Sequence, residues 1–324
     1  MKSSFYLQKN LFFFSLISSI TICFSCNSFI MMWMSMEINL FSFIPLISIE
    51  QKKMSEKSSM MYFLIQSISS SIFLIAFSMN LNNMKSIMSI FLILSIFMKL
   101  GLFPFHFWMI SAIEGMSWNT AFLLMTIQKI IPITILSFLV KQNFIILFCL
   151  LNSLMASISG MTMFSTRKIL GFSSINHLSL MLISMLLSKK IFKIYFLVYS
   201  FMTLTATKTM KSTKINFLFQ TMTNFKENKI NNLSILIIFM SMAGIPPFLG
   251  FMPKMMTIMI MMKSEMHLTT LLILIFNTLA MFFYMRMTMN NILMNLNLTK
   301  MKQSKKKIKF PLFLLTSPAY LLLL

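Results

Sequence analysis

The chain has 324 residues, 57% of them hydrophobic and 10% charged, against roughly a quarter charged in an ordinary soluble domain, so a water-soluble globule is excluded. Its 28 Lys and Arg face only 6 acids, for a net charge of +22. These bases are strung between long apolar runs rather than gathered on one wet surface, which argues against nucleic acid as a partner and makes them membrane flanks.

A helix that crosses a bilayer needs about 20 mostly apolar residues, and eleven stretches qualify. In chain order they lie near 10 to 26, 28 to 48, 58 to 80, 86 to 107, 119 to 139, 143 to 164, 169 to 187, 191 to 210, 232 to 262, 267 to 290 and 308 to 324. Lys2 and Lys9 before a short apolar run give the first stretch the look of a signal peptide, but ten further spans make a retained helix the simpler reading. The expected fold is all-α: a polytopic transmembrane bundle of about eleven helices forming one membrane domain over 1–324, with no soluble domain. The longest loops, about 211 to 231 and 291 to 307, are rich in Lys and Asn and are expected at the headgroup level.

Lys and Arg that flank spans stay on the inner side of a membrane. With alternating spans, nineteen of the 28 bases fall on the side of the amino terminus and six on the other. The amino terminus and the Lys-rich 300 to 309 segment are therefore expected to face the interior compartment. That segment is suited to anionic lipid, or is simply a solvated flank.

The three remaining bases, Lys99, Lys129 and Lys254, lie inside spans, and Glu37 lies near the middle of the second. An ionised side chain at the centre of a membrane helix costs about 2.5 to 3.5 kcal/mol on insertion scales, so four of them call for a reason. One is an ion or proton path; another is snorkelling to an interface or structural pairing. Each lysine also stands near a helix disruption: Gly101 and Pro104 follow Lys99, Pro132 follows Lys129, and Lys254 follows Pro253 and the Pro246-Pro247 pair. Prolines free backbone carbonyls, which membranes tolerate only where protein or water satisfies them. Broken helices are thus expected near Pro104 and Pro246-Pro247, each admitting water beside an amine. A carboxylate about 4 Å from an amine contributes on the order of 4 kcal/mol at an effective dielectric of 20, enough to switch its charge when the pair separates.

His106 and His177 lie in or at the ends of spans and offer relay groups, with hydrogen-bonded packing as the alternative; His267 is at a boundary and reads as surface. Cys23, Cys26 and Cys149 are too few for a disulfide framework. No metal site, haem ligand pair, cysteine cluster or phosphate loop is legible, so any redox chemistry is expected on another chain.

Six motifs in order carry a resemblance: W-M-S-M-E-I-N-L at 33 to 40, K-L-G-L-F-P-F-H-F-W at 99 to 108, E-G-M-S-W at 114 to 118, Q-K-I-I-P at 128 to 132, R-K-I-L-G-F-S-S-I-N-H at 167 to 177, and G-I-P-P-F-L-G-F-M-P-K at 244 to 254. Together they resemble the mitochondrial NADH dehydrogenase subunit 2 family, antiporter-like membrane-arm subunits of respiratory complex I. A composition with 38 Met and 36 Phe, skewed toward AT-rich codons, suits a mitochondrial genome. The resemblance implies a proton-translocating subunit of the inner mitochondrial membrane, with its amino terminus on the matrix side. It further implies that Glu37 pairs with the pump lysine Lys99, that Lys129 is the connecting lysine, and that Lys254 stands on the broken helix toward the exit. His106 falls in the family's P-F-H-F-W, whereas His177 is followed by Leu-Ser-Leu rather than the usual Met-Gly-Trp. NADH, FMN, iron-sulfur clusters and ubiquinone would be handled by other subunits. Implied partners are other membrane-arm subunits, including subunits 4 and 4L, and cardiolipin as the membrane lipid. Two other readings stay open at this point: an autonomous cation/proton antiporter with inverted repeats, and a purely structural membrane subunit.

Overall fold

The computed structural model describes residues 2–26, 28–49, 53–79, 85–139, 142–220 and 229–296. The helices are α1 (Lys2–Ser25), α2 (Phe29–Ser48), α3 (Lys53–Met79), α4 (Lys85–Leu100), α5 (Phe107–Gly115), α6 (Trp118–Met125) and α7 (Ile127–Leu136). They continue with α8 (Gln142–Thr162), α9 (Thr166–Leu187), α10 (Lys189–Thr213), α11 (Lys229–Ala243), α12 (Phe251–Lys263) and α13 (His267–Leu296). Ten of the eleven expected spans are thus helical, two of them in two pieces: 119 to 139 as α6 and α7, and 232 to 262 as α11 and α12. The eleventh, near 308 to 324, lies outside the described residues, as do the 300 to 309 segment and much of both long loops. Among the described residues, six spans are long and apolar enough to cross a membrane: 29–48, 53–78, 118–136, 144–162, 166–187 and 267–288.

Serine is frequent in these helices, and its hydroxyl returns to the carbonyl three residues back, as in Ser35 to Met32 at 2.6 Å and Ser173 to Leu170 at 2.7 Å. Folding the polar group onto its own backbone lets a serine-rich helix lie in an apolar medium.

The chain forms two compact units, Met1–Gln142 and Asn143–Leu324. In the first, α2 packs against α1 and α3, α3 against α4 and α5, and α7 reaches α1, α2, α4 and α6. The short α7 is therefore surrounded by its neighbours. In the second, α9 contacts α10, α12 and α13, and it is buried on every face from Ile169 to Met185, as expected of a core helix.

Both expected breaks are present and share one geometry. At the end of α4, Leu102 N–H donates to the Phe97 carbonyl and Gly101 N–H to that of Met98, with Gly101 at φ +66°. At the end of α11, Ile245 N–H donates to Met240 and Gly244 N–H to Ser241, with Gly244 at φ +80°. Each is a Schellman ending, whose left-handed position suits glycine. The third disruption differs from expectation. Pro132 rides inside α7, and the helix direction changes upstream at Thr126, at φ −123° and ψ −76°. There the first turn of α7 tightens, with Lys129 N–H donating to the Thr126 carbonyl, while the Thr126 hydroxyl returns to Phe122 at 2.8 Å.

Candidate functional site

In the first unit, Lys99 occupies the last turn of α4 and Lys129 the first half of α7, exposed to only 7% and 2%. Both line one cavity, together with Asn39, Tyr62, Gln66 and Gln128. The space open to the centre of a water molecule is ≈ 20 Å³, about what one buried water requires. Helix ends leave carbonyls without partners, and side chains supply them at the end of α4. Gln66 Nε2 donates to the Lys99 carbonyl at 3.2 Å, and Trp108 Nε1 to that of Met98 at 3.0 Å. These bonds fix the backbone under the Lys99 side chain. At Gly101 a Cβ would lie 2.9 Å from that of Met109, so the turn also needs glycine for space.

Glu37 stands on α2, half-buried, next to the cavity-lining Met36. The inward stripe of α2 runs through Met36, Asn39, Leu40 and Phe43, which places Glu37 about 100° round the helix from Met36. Among the described residues it makes no direct ion pair with Lys99, and its Oε1 is buried without a hydrogen bond. It stands close enough to Lys99 and Tyr62 for a charge on its carboxylate to be felt there through space. A switch of the kind expected from the sequence would therefore work through the field of the carboxylate rather than through a contact pair. His106 is buried in the turn between α4 and α5, stacked on Phe103 at 6.2 Å and bonded to the Pro104 backbone. It is not part of the cavity lining.

The second unit holds its lysine by other means. Lys254 on α12 is 7% exposed, and its Nζ donates to the carbonyls of Met242 at 3.1 Å and Ala243 at 2.8 Å. These belong to the last turn of α11, the negative end of that helix dipole. Gly244 makes the room: a Cβ there would lie 2.8 Å from Lys254 Cδ and 3.0 Å from Nζ. Arg286 on α13 is bound the same way at the end of α8, donating to the carbonyls of Met161 and Met163. His177 on α9 pairs through Nδ1 with the Tyr195 hydroxyl at 3.0 Å, and its ring lies 5.2 Å from that of Tyr199.

The sequence matches, over residues 26–283, the transmembrane family described as NADH:quinone oxidoreductase/Mrp antiporter. The NADH-ubiquinone oxidoreductase chain 2 of Anopheles gambiae is 34% identical over 298 residues, covering 89% of this chain and 87% of the mosquito protein. That of Locusta migratoria is 31% identical over 331 residues, covering 96% and 94%. The chain belongs to the NADH-ubiquinone oxidoreductase chain 2 family. Its fold agrees, since a chain of respiratory complex I from Thermus thermophilus superposes with a TM-score of 0.79 at 16% identity, over 88% of this chain and 70% of that one.

As a chain 2 family member it is a multi-pass membrane protein and a subunit of NADH-ubiquinone oxidoreductase. Within it, Lys99 and Lys129 are brought to one cavity with Glu37 at its flank. Asn39, Tyr62, Gln66 and Gln128, which also line the cavity, were not singled out from the sequence. Asn39 and Gln128 sit inside the M-E-I-N and Q-K-I-I-P motifs beside Glu37 and Lys129. That adjacency was the available signal.

Proposed function

We infer that this chain is a proton-translocating membrane subunit of respiratory complex I, and we propose that Glu37, Lys99, Lys129 and Lys254 carry the protons. The observation that carries the reading is the pair of buried lysines on one water-sized cavity. Two amines separated by a water exchange a proton without a net change of bonds. The Lys99 ammonium releases a proton to the water, and the water passes another to the neutral Lys129 amine. A carboxylate nearby favours the charged form of an amine, and moving or neutralising it favours release, so Glu37 sets the direction in which the pair discharges. Each charge moved against 100 mV requires about 2.3 kcal/mol, which is supplied by redox chemistry on other subunits that hold NADH, FMN, iron-sulfur clusters and ubiquinone. Lys254 serves as the station of the second unit, with His106 and His177 as accessory relays.

The membrane is the inner mitochondrial membrane, with the amino terminus in the matrix. Support comes from the animal chain 2 relatives and from the excess of bases on the amino-terminal side. Neighbours in the assembly are the other membrane-arm subunits, with subunits 4 and 4L and cardiolipin as the specific partners proposed. Replacing Lys99 by Met in the assembled complex is expected to lower the number of protons moved per electron during NADH oxidation. An unchanged ratio would overturn the reading and leave a scaffold.

A further inference from the structure

Three uncharged residues close around the cavity and take no part in the proton path just described. Asn39 on α2 and Gln128 on α7 form a reciprocal carboxamide pair, with Asn39 Nδ2 donating to Gln128 Oε1 at 2.8 Å and Gln128 Nε2 donating back to Asn39 Oδ1 at 3.1 Å. Tyr62 on α3 donates its hydroxyl to the same Gln128 oxygen at 3.0 Å. Both lone pairs of that oxygen are then occupied. All three side chains are buried and line the cavity shared by Lys99 and Lys129.

A carboxamide neither takes up nor gives off a proton near neutral pH, so the pair is no station on a proton path. Its contribution is mechanical. Asn39 is two residues from Glu37, and Gln128 directly precedes Lys129, so the bonds tie the helix of the carboxylate to the helix of the second amine. Buried polar pairs in apolar surroundings serve register between helices better than net stability. Here the register is functional, because a displacement of about 1 Å at a reacting group can cost 10²-fold in rate. The clasp also matters at α7 in particular, since Pro132 cannot donate to the Gln128 backbone carbonyl four residues before it.

We propose that Asn39, Gln128 and Tyr62 are positioning residues for proton transfer, a non-titrating clasp across α2, α3 and α7 that fixes Glu37 and Lys129 relative to the cavity. This rests on the reading of the two lysines as proton carriers. Tyr62 offers a mild probe, because its ring is held edge-on by Phe43 at 5.0 Å and against Trp108 at 6.1 Å. Phenylalanine keeps that packing and removes only the donor.

The test compares Asn39→Leu, Gln128→Leu, the exchange Asn39→Gln with Gln128→Asn, and Tyr62→Phe in assembled complex I, reading protons moved per electron. The single leucine variants are expected to lower the ratio by at least half as much as Lys99→Met does. The exchange preserves the summed length of the pair and is expected to recover more than half of that loss, while Tyr62→Phe gives a smaller fall. A normal ratio in assembled Asn39→Leu, or an exchange no better than the single variants, overturns the clasp. Should the single variants fail to assemble, the exchange and Tyr62→Phe decide: a near-normal exchange with a lowered Tyr62→Phe supports the clasp. An exchange that loses as much as Lys99→Met does, or a normal Tyr62→Phe, overturns it. Lys99→Met measured alongside separates the two ideas, since a normal ratio there sinks the underlying reading, whereas a lowered one with normal Asn39→Leu sinks the clasp alone.

Discussion

The two units hold their buried amines by different means. In the first, Lys99 and Lys129 share a cavity walled by neutral polar side chains, with Glu37 on its flank. In the second, Lys254 is gripped by two backbone carbonyls at the end of α11. The chain has six acids for 28 bases, so carboxylates are scarce, and helix ends replace them at Lys254 and again at Arg286. The difference bears on control. A carboxylate on a side chain can move or take a proton, whereas a backbone carbonyl does neither, so release of the Lys254 amine requires the α11–α12 break itself to change shape.

That contrast predicts where substitutions will damage the fold as well as the proton traffic. The largest effect is expected at Gly244, where alanine would meet both an unfavourable φ of +80° and the Lys254 side chain at 2.8 Å. Strain of about 1–3 kcal/mol from the backbone and a comparable amount from overpacking should reduce the abundance of assembled complex on native gels. Normal abundance would show that the grip has slack.

A smaller effect on assembly is expected for Lys254→Met, which removes the donor from two helix-end carbonyls at a cost of about 1–3 kcal/mol. Lys99→Met should leave assembly near normal, because the α4 carbonyls are served by Gln66 and Trp108 rather than by the lysine. Thermal denaturation of the two assembled variants checks this. Equal melting temperatures would erase the distinction between the units.

Much of this was legible in the sequence, and what was not has physical reasons. Glu37, Lys99, Lys129 and Lys254 stood out because a charge in an apolar span is costly wherever it sits. Glycine and proline announced the breaks after Lys99 and before Lys254. The break at Thr126 was silent, since threonine is unremarkable in a helix and the nearby Pro132 drew the reading downstream. Asn39, Tyr62, Gln66 and Gln128 escaped notice because uncharged polar residues are common in these helices, where serine satisfies itself on the preceding turn. Only bonds between helices set them apart, across α2, α3 and α7 for Asn39, Tyr62 and Gln128, and from α3 to the end of α4 for Gln66. The absence of a direct Glu37–Lys99 pair among the described residues depended on the rotation of α2, which spacing alone does not fix.

On the proposed mechanism, Lys99 and Lys129 serve one proton step through one cavity. Residues that act as a unit give non-additive losses. The most direct measurement is the proton-to-electron ratio of assembled complex I carrying Lys99→Met, Lys129→Met and both together. The same reduced ratio is expected in all three, because breaking the step once abolishes it. A double variant that loses the sum of the two single losses would contradict it.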